Sequence, residues 1–312
     1  MKQTFIAVLL IMATVNANAQ FLFRISGNGL EQPSYMLGTI HTLHGSVLDH
    51  TPVYVETESL CKQFYTEFDI TDQQLMNELN SDIEKTKSNL RLPEGKTILD
   101  ILSNEQIETV DVRVKEIFGL NLSDPKMKSF WNFQPRVFTY FINRKIQGET
   151  IKKYGPQSSS RSALIDETCI LRAKLFGMEI GHLDELEDRI RIQGFQSQGI
   201  EEQVDSLMDL VGNYDHHMQV AIKTAEVLKQ STVYWCLADY ENFASMPYWQ
   251  KTVKDSPSVF KERNEKWIPK MQKAMQKAPV MFNFGAGHLI GDYGIIQLLQ
   301  NAGYNVEQVE SK

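Results

Sequence analysis

The sequence predicts an α/β fold, in the mixed α+β sense, with a central mixed sheet and a large helical insertion covering it. Near each end the chain shows the order strand, Gly-x-x-His, helix, strand, and residues 72–278 between the ends have mostly helical periodicity. Strand–helix–strand units place their strands parallel, and ligands gather beyond the carboxyl ends of those strands. We therefore expect one domain, residues 20–312, whose two motifs meet at one sheet edge.

The first unit begins with strand character at residues 21–25, a Gly-Asn-Gly turn and a returning strand at residues 34–37, which together predict a hairpin. The first Gly-x-x-His motif, residues 38–41, leaves the returning strand. A short helix at residues 53–61 and a strand at residues 63–69 complete the unit.

The second unit lies at the other end of the chain. An apolar strand at residues 280–284 enters the second Gly-x-x-His motif, residues 285–288. We expect a helix over residues 290–301, closed by a glycine at its C-terminus, and a last strand at residues 304–309.

The first 19 residues have the order of a secretory signal peptide: a charged start, a short apolar run and an Ala-x-Ala end before Gln20. The apolar run is shorter than a membrane span, so the sequence predicts cleavage and export to a periplasm or the medium. The alternative is an uncleaved N-terminal anchor. No later segment of the sequence has the length and hydrophobicity of a membrane span.

Composition narrows the classes of function. The net charge of −7, without a basic stripe, gives no reason to expect a nucleic acid or an anionic lipid as partner. The three cysteines, Cys61, Cys169 and Cys236, are too far apart for a thiolate zinc site. We expect all three cysteines to lie in the core. The sequence leaves open whether two of them form a disulfide.

The two motif histidines are the first candidates for chemistry. His41 and His288 each follow a strand and a motif glycine, Gly38 or Gly285, that lets the backbone approach a ligand closely. One such histidine alone is more often structural. Two at the same edge of one sheet can face one reacting centre.

A carboxylate in the strand at residues 63–69 completes the candidate set. Tyr65, Glu67 and Asp69 share one strand face by the two-residue period. An acid among aromatic neighbours must be paired, metal-bound or shifted in pKa. We choose Glu67, since Asp69 lies nearer the exposed strand end; an edge-strand acid in water is the alternative.

His41, Glu67 and His288 can together hold Zn²⁺, Mn²⁺ or Co²⁺ with an open position that activates water. The sequence does not identify the metal. It contains neither H-E-x-x-H nor G-x-S-x-G, which argues against the usual zincin and serine-hydrolase mechanisms. A competing interpretation of residues 285–291 is a G-x-G-x-x-x-G phosphate cradle at a helix N-terminus.

Several segments together resemble the TraB/GumN family, which is related to the Tiki proteases that cleave Wnt proteins. They are residues 27–29 and 35–41, the Glu67 strand, Glu262-Arg263-Asn264, and residues 284–289. The resemblance runs in order over nearly the whole mature chain. It implies a fold similar to the erythromycin-esterase and ChaN-like group, and a metal-dependent peptidase-like centre of His41, Glu67 and His288 with Arg263 as fourth member.

Arg263 suits such a centre chemically, because a guanidinium can hold a substrate carboxylate or a developing oxyanion in bidentate fashion. A surface arginine paired with Glu262 or Glu265 is the alternative. One segment departs from the resemblance: many family members carry Leu-Glu-Thr where this chain has Leu183-Asp184-Glu185. The site prediction omits that segment.

The predicted function is an exported metal-dependent hydrolase, acting on a peptide or protein. Two alternatives stay open. One is a non-catalytic protein that binds or sequesters a peptide signal, and the other is a metal-free hydrolase in which histidine and glutamate act as acid and base.

Overall fold

A central sheet organises the chain. The computed structural model describes residues 21–88, 90–156, 163–193 and 198–309, so the predicted signal peptide lies outside the described residues. Six strands of the described chain form one mixed sheet: β1 (Leu22–Gly27), β2 (Ser34–Thr39), β3 (Gln63–Thr66), β4 (Glu179–His182), β5 (Val280–Gly285) and β6 (Tyr304–Gln308). Their order is β4-β3-β5-β2-β1-β6. The prediction of a mixed α/β fold is confirmed.

The predicted hairpin is formed by β1 and β2, which pair antiparallel with Leu22 opposite Leu37. The Leu30 N–H closes the turn on the Gly27 carbonyl at 3.0 Å. β2 is buried along its whole length, as is β5, its parallel neighbour. Two-sided burial explains why each strand contains a run of consecutive apolar residues, 35–37 in β2 and 280–282 in β5, rather than an alternating pattern.

The helices are α1 (Pro52–Ser59), α2 (Gln73–Ser88), α3 (Ile98–Ile101), α4 (Asn104–Phe118), α5 (Pro135–Tyr154), α6 (Ile165–Leu175), α7 (Leu186–Gln193), α8 (Ile200–Gly212), α9 (Tyr214–Cys236), α10 (Tyr240–Ser245), α11 (Pro247–Asp255), α12 (Lys261–Lys277) and α13 (Ile295–Asn301). Short 3₁₀ turns lie at Gly45–His50, Pro125–Phe130 and Ala286–Leu289.

The described chain consists of two compact units. The sheet unit contains residues 21–73, 163–185 and 230–309, and the helical unit contains residues 74–156 and 186–229 within the described ranges. Both fall within residues 20–312, the region assigned to one domain from sequence.

Each unit has its own apolar core. In the sheet unit, α6 packs on β3, β4 and β5, and α13 packs on β6. Trp235 and Trp267 are fully buried there among the strand residues. In the helical unit, α8 packs against α4 and α5 and buries Leu207 with Val110 and Ile142.

Several local predictions need correction. β3 ends at Thr66 rather than at residue 69, and the segment expected to be mostly helical, residues 72–278, is so but also contains the strand β4, which was not predicted. The second motif itself forms a 3₁₀ turn, Ala286–Leu289, and α13 begins at Ile295 rather than at residue 290. All three cysteines lie in the described part as free thiols, and Cys236 is exposed rather than in the core.

No helix within the described ranges has both the length and the hydrophobicity needed to cross a membrane.

Candidate functional site

The carboxyl ends of four neighbouring strands meet at one edge of the sheet. β4, β3, β5 and β2 lie side by side and run parallel. Asp184 follows β4, Glu67 follows β3 and the second motif follows β5, while His41 follows β2. The topology therefore brings residues far apart in sequence to the same edge.

The two Gly-x-x-His turns pack against each other through Gly38. A Cβ at this position would lie 2.5 Å from Leu289 Cδ1 and 3.2 Å from the α-carbon of Ala286, both in the second motif or next to it. The indole N–H of Trp235 donates to the Gly38 carbonyl at 2.7 Å. A larger residue at position 38 would therefore force Leu289 and the second motif to shift where the motifs approach each other.

His41 lies between two carboxylates. Its Nδ1 is 2.7 Å from Asp166 Oδ2, and its Nε2 is 3.7 Å from Glu67 Oε1. The side chain is 58% exposed, far more than its partners. Of these three side chains, His41 is therefore the one that solvent reaches most readily.

Glu67 is held on both of its oxygens. The Gly285 N–H donates to Oε1 at 2.8 Å, and Arg263 Nη2 donates to Oε2 at 2.6 Å. Burial by itself would raise the pKa of Glu67, but the imidazoles of His288 and His41 when protonated, the Arg263 guanidinium and the Gly285 N–H together hold that pKa well below its ordinary range. Glu67 is therefore a carboxylate at any pH near neutrality.

Arg263, on α12, uses all of its N–H groups within the protein. Nε and Nη2 donate to the two oxygens of Asp184 at 2.9 and 2.7 Å, and Nη2 also donates to Glu67. Nη1 donates to the Val259 carbonyl at 3.1 Å and to His288 Nε2 at 3.0 Å. These are five donors for five acceptors. Burial opposes the charge of Arg263, but Asp184 and Glu67 raise its pKa further, so it remains a cation.

His288 is buried and held on both ring nitrogens. A guanidinium can only donate, so His288 Nε2 accepts the bond from Arg263. The amide nitrogen of Asn264 donates to the carbonyls of His288 and Tyr293, which turns Asn264 Oδ1 toward His288 Nδ1 at 2.6 Å. The ring is therefore the neutral Nδ1–H form, and it lies 4.4 Å from the Trp267 ring.

Comparison with known families bears on this arrangement. The sequence model of the TraB/PrgY/gumN family matches residues 21–308, nearly the whole chain. The chain belongs to this family. No curated protein and no solved structure matches it.

In this member of the TraB/PrgY/gumN family the four predicted site residues lie together. Glu67 Oε1 is 3.7 Å from His41 Nε2 and 3.9 Å from His288 Nε2, and Arg263 contacts both Glu67 and His288. The alternatives for Arg263 do not fit the structure, because its side chain is 3% exposed and its acidic partners are Glu67 and Asp184.

Three residues of the site were not predicted from the sequence: Asp166, Asp184 and Asn264. Asp184 lies in the segment omitted because of its departure from Leu-Glu-Thr, and the strand that precedes it was not predicted. Asp166 opens α6 without any local motif. Conversely, Asp69 is bound to Thr71 and Lys174 and takes no part in the centre.

The phosphate-cradle interpretation of residues 285–291 finds no support in the geometry. A helix N-terminus must follow such a loop directly to supply its N–H groups. Here the 3₁₀ turn Ala286–Leu289 follows, its residues are buried, and α13 begins later, at Ile295.

The fit of these residues to a metal ion is partial. Within the described part of the chain, no group of three His, Cys, Asp or Glu side chains is arranged to hold an ion as they stand. Yet Glu67 Oε1 is less than 4 Å from both Nε2 atoms, and ligands about 2.1 Å from one ion lie at comparable separations. His41, Glu67 and His288 also have outer hydrogen-bond partners, as metal ligands commonly do. For His288 Nε2 to bind an ion, its hydrogen bond with Arg263 would have to break.

Proposed function

We propose that this protein is a metal-dependent hydrolase whose centre is formed by His41, Glu67 and His288. The observation that carries the proposal is that two imidazole nitrogens from separate Gly-x-x-His turns face the same oxygen of one buried carboxylate. Nitrogen and oxygen donors of this kind suit Zn²⁺, Mn²⁺ or Co²⁺.

His41, Glu67 and His288 would hold the ion, which when bound supplies a Lewis acid and lowers the pKa of bound water. The protein's own part is to keep the donors ready. Glu67 stays ionised, the Gly285 N–H fixes the orientation of its Oε1, and Asn264 fixes the ring of His288. Such preorganisation reduces the reorganisation needed during reaction.

Arg263 has a positioning role in this proposal. Four of its five N–H groups are bound to Asp184, Glu67 and the Val259 carbonyl, and the fifth is bound to His288 Nε2 and would be released when an ion takes that nitrogen. Its bonds to the two carboxylates fix Glu67 relative to Asp184 and keep a positive charge beside the centre. The sequence-based idea that Arg263 holds a substrate carboxylate or oxyanion stays a prediction for that released N–H group.

A peptide is the substrate class that we propose, and its support is the family resemblance to peptidases. The exposure of His41 indicates the side from which a substrate would approach, because the side chains of Glu67, Arg263 and His288 are 13% exposed or less. An extended peptide laid across His41 would reach the carboxylate behind it.

A metal-free hydrolase is the second candidate, and the Arg263–His288 hydrogen bond favours it. That bond satisfies His288 Nε2 without any ion. His41, paired with Asp166, would then act as the general base. The third candidate is a protein that binds a peptide in the same place without turning it over.

One experiment separates the three candidates. The purified mature protein is stripped of metal and incubated with a peptide library, with and without added Mn²⁺, Co²⁺ or Zn²⁺. Cleavage that appears only with metal supports the leading proposal, and cleavage that survives stripping supports the metal-free hydrolase. Tight binding without cleavage supports the binding protein.

We also propose that the protein is exported after removal of residues 1–19. The support is the leader-like order of residues at the N-terminus of the sequence. N-terminal sequencing of the protein from a periplasmic or medium fraction should begin at Gln20 or within two residues of it. An intact Met1 in the exported fraction would contradict cleavage.

A further inference from the structure

We propose that Asp166 is a positioning residue that fixes which nitrogen of His41 carries the proton. The proposal rests on the proposed function, in which His41 acts through Nε2. Asp166 opens α6, and its Oδ2 lies 2.7 Å from His41 Nδ1. A carboxylate accepts hydrogen bonds, so the Nδ1–H form of a neutral His41 is stabilised. Nε2 then keeps its lone pair on the side of Glu67.

Two buried side chains from neighbouring strands hold the other oxygen of Asp166. Thr39 of β2 donates to Oδ1 at 2.7 Å, and Asn283 of β5 donates to the same atom at 3.3 Å. Both residues are about 1% exposed. Since two donors occupy Oδ1, Oδ2 is the oxygen left to face His41.

The first Gly-x-x-His motif contributes two functional groups to this arrangement. Thr39 is the second residue of the motif that ends at His41, so one turn supplies both the histidine and a donor that orients its carboxylate partner. His288 has a matching partner in Asn264, which also selects the Nδ1–H form. Both imidazoles therefore have Nε2 as the nitrogen with a lone pair near Glu67.

Nitrogen-15 correlation NMR of the imidazoles tests the proposal directly, because the two neutral forms of histidine give different ring spectra. The spectrum is recorded through a pH series that reaches the neutral ring, with His41→Gln used to assign the signal. We expect wild-type His41 as the Nδ1–H form alone and Asp166→Ala as a mixture containing the Nε2–H form. The matched control Asp69→Ala removes another buried aspartate of the sheet unit and should leave His41 unchanged.

Metal titration calorimetry supplies a second readout. Asp166→Ala should bind Mn²⁺, Co²⁺ or Zn²⁺ about 10–100-fold more weakly than wild type, as loss of an outer partner of a histidine ligand commonly does. A wild-type His41 in the Nε2–H form would overturn the proposal whether or not Asp166→Ala folds. A folded Asp166→Ala protein that keeps the pure Nδ1–H form would overturn it as well. If wild type binds no metal, the metal-dependent function fails, while the tautomer measurement still decides the role of Asp166.

Discussion

Arg263 is the most heavily bonded residue of the centre, and its planar fork explains why an arginine is needed there. Two of its nitrogens face Asp184 in bidentate fashion, while the remaining donors reach Glu67, His288 and a carbonyl. A lysine has the same charge but three donors from a single nitrogen. The two residues are therefore not interchangeable at this position.

Arg263→Lys should lower the free energy of unfolding by about 3 kcal/mol or more, because Asp184 and Glu67 would keep buried charges with incomplete partners. Urea denaturation followed by tryptophan fluorescence measures this change. The matched control is Arg24→Lys, whose pair with Glu307 is exposed and should contribute about 0–1 kcal/mol. Equal effects of the two substitutions would contradict the role assigned to Arg263.

Glu67→Gln tests the carboxylate itself. Both oxygens of Glu67 accept bonds, from the Gly285 N–H and from Arg263, so the amide nitrogen of glutamine must face one of these donors. We expect a stability loss of about 1–3 kcal/mol and the disappearance of metal-dependent cleavage in the folded fraction. Melting temperature and cleavage are measured on one preparation. A folded variant with wild-type turnover would remove Glu67 from the centre.

Among the elements, the turn after β5 controls the space between the proposed donors. A Cβ on Gly285 would lie 2.6 Å from His41 Nε2 and 3.4 Å from Glu67 Oε1. Gly285 has a φ of −57°, which any residue can adopt. A methyl group here therefore probes the site without straining the backbone.

Gly285→Ala should displace the exposed His41 ring and weaken metal binding at least about tenfold, with a small change in melting temperature. Calorimetric metal titration and thermal unfolding provide the two measurements. Gly148→Ala is the control, because its added Cβ meets nothing within 4 Å in the middle of α5. It should stabilise the protein by about 0.5–1 kcal/mol. Unchanged metal affinity in Gly285→Ala would place the ion elsewhere.

Sequence patterns predicted the hairpin, the parallel strands beside both motifs and the proximity of His41, Glu67 and His288, while Arg263 was added by the family resemblance. They failed where tertiary contacts override local signals. β3 ends at Thr66, and the side chain of Glu67, the next residue, accepts a hydrogen bond from the Gly285 N–H. β4 was missed because four residues within a helical region carry too little alternation to be recognised.

The carboxylates Asp166 and Asp184 were beyond the reach of the sequence for a different reason. A single aspartate has no local signature, and its importance depends on which strand ends lie beside it. Asp166 is recognised through contacts with Thr39, His41 and Asn283, which lie more than 100 positions away in the chain. Such partners are known once the strand order is known.

For the whole molecule, the burial of thiols makes the free energy of unfolding decrease as the pH rises in the alkaline range. Burial, with a smaller effect of Glu58, raises the pKa of Cys61 to about 12 from an ordinary value of 9.0. The folded state therefore retains a proton that the unfolded chain loses, so this contribution to stability is full below pH 9 and is lost as the pH rises toward 12.

Between pH 8 and pH 11 the free energy of unfolding should therefore fall less steeply in Cys61→Ala than in wild type. Over this range the variant should lose about 2–3 kcal/mol less than wild type. Cys236→Ala is the control, because Cys236 is exposed and should alter the slope less. Identical slopes for wild type and Cys61→Ala would show that Cys61 ionises as readily in the folded protein as in the unfolded chain.

The strand order also determines when during biosynthesis the centre can form. β5 lies between β2 and β3, and β1 is paired with β6 so that Phe23 lies opposite Gln308. Ribosomes release the N-terminus first, at about 5–20 residues per second. His41 and Glu67 therefore emerge from the ribosome long before β5, the strand that pairs with both β2 and β3. A nascent chain that ends before Val280 has neither β5 nor His288, so the centre cannot assemble until the last part of synthesis.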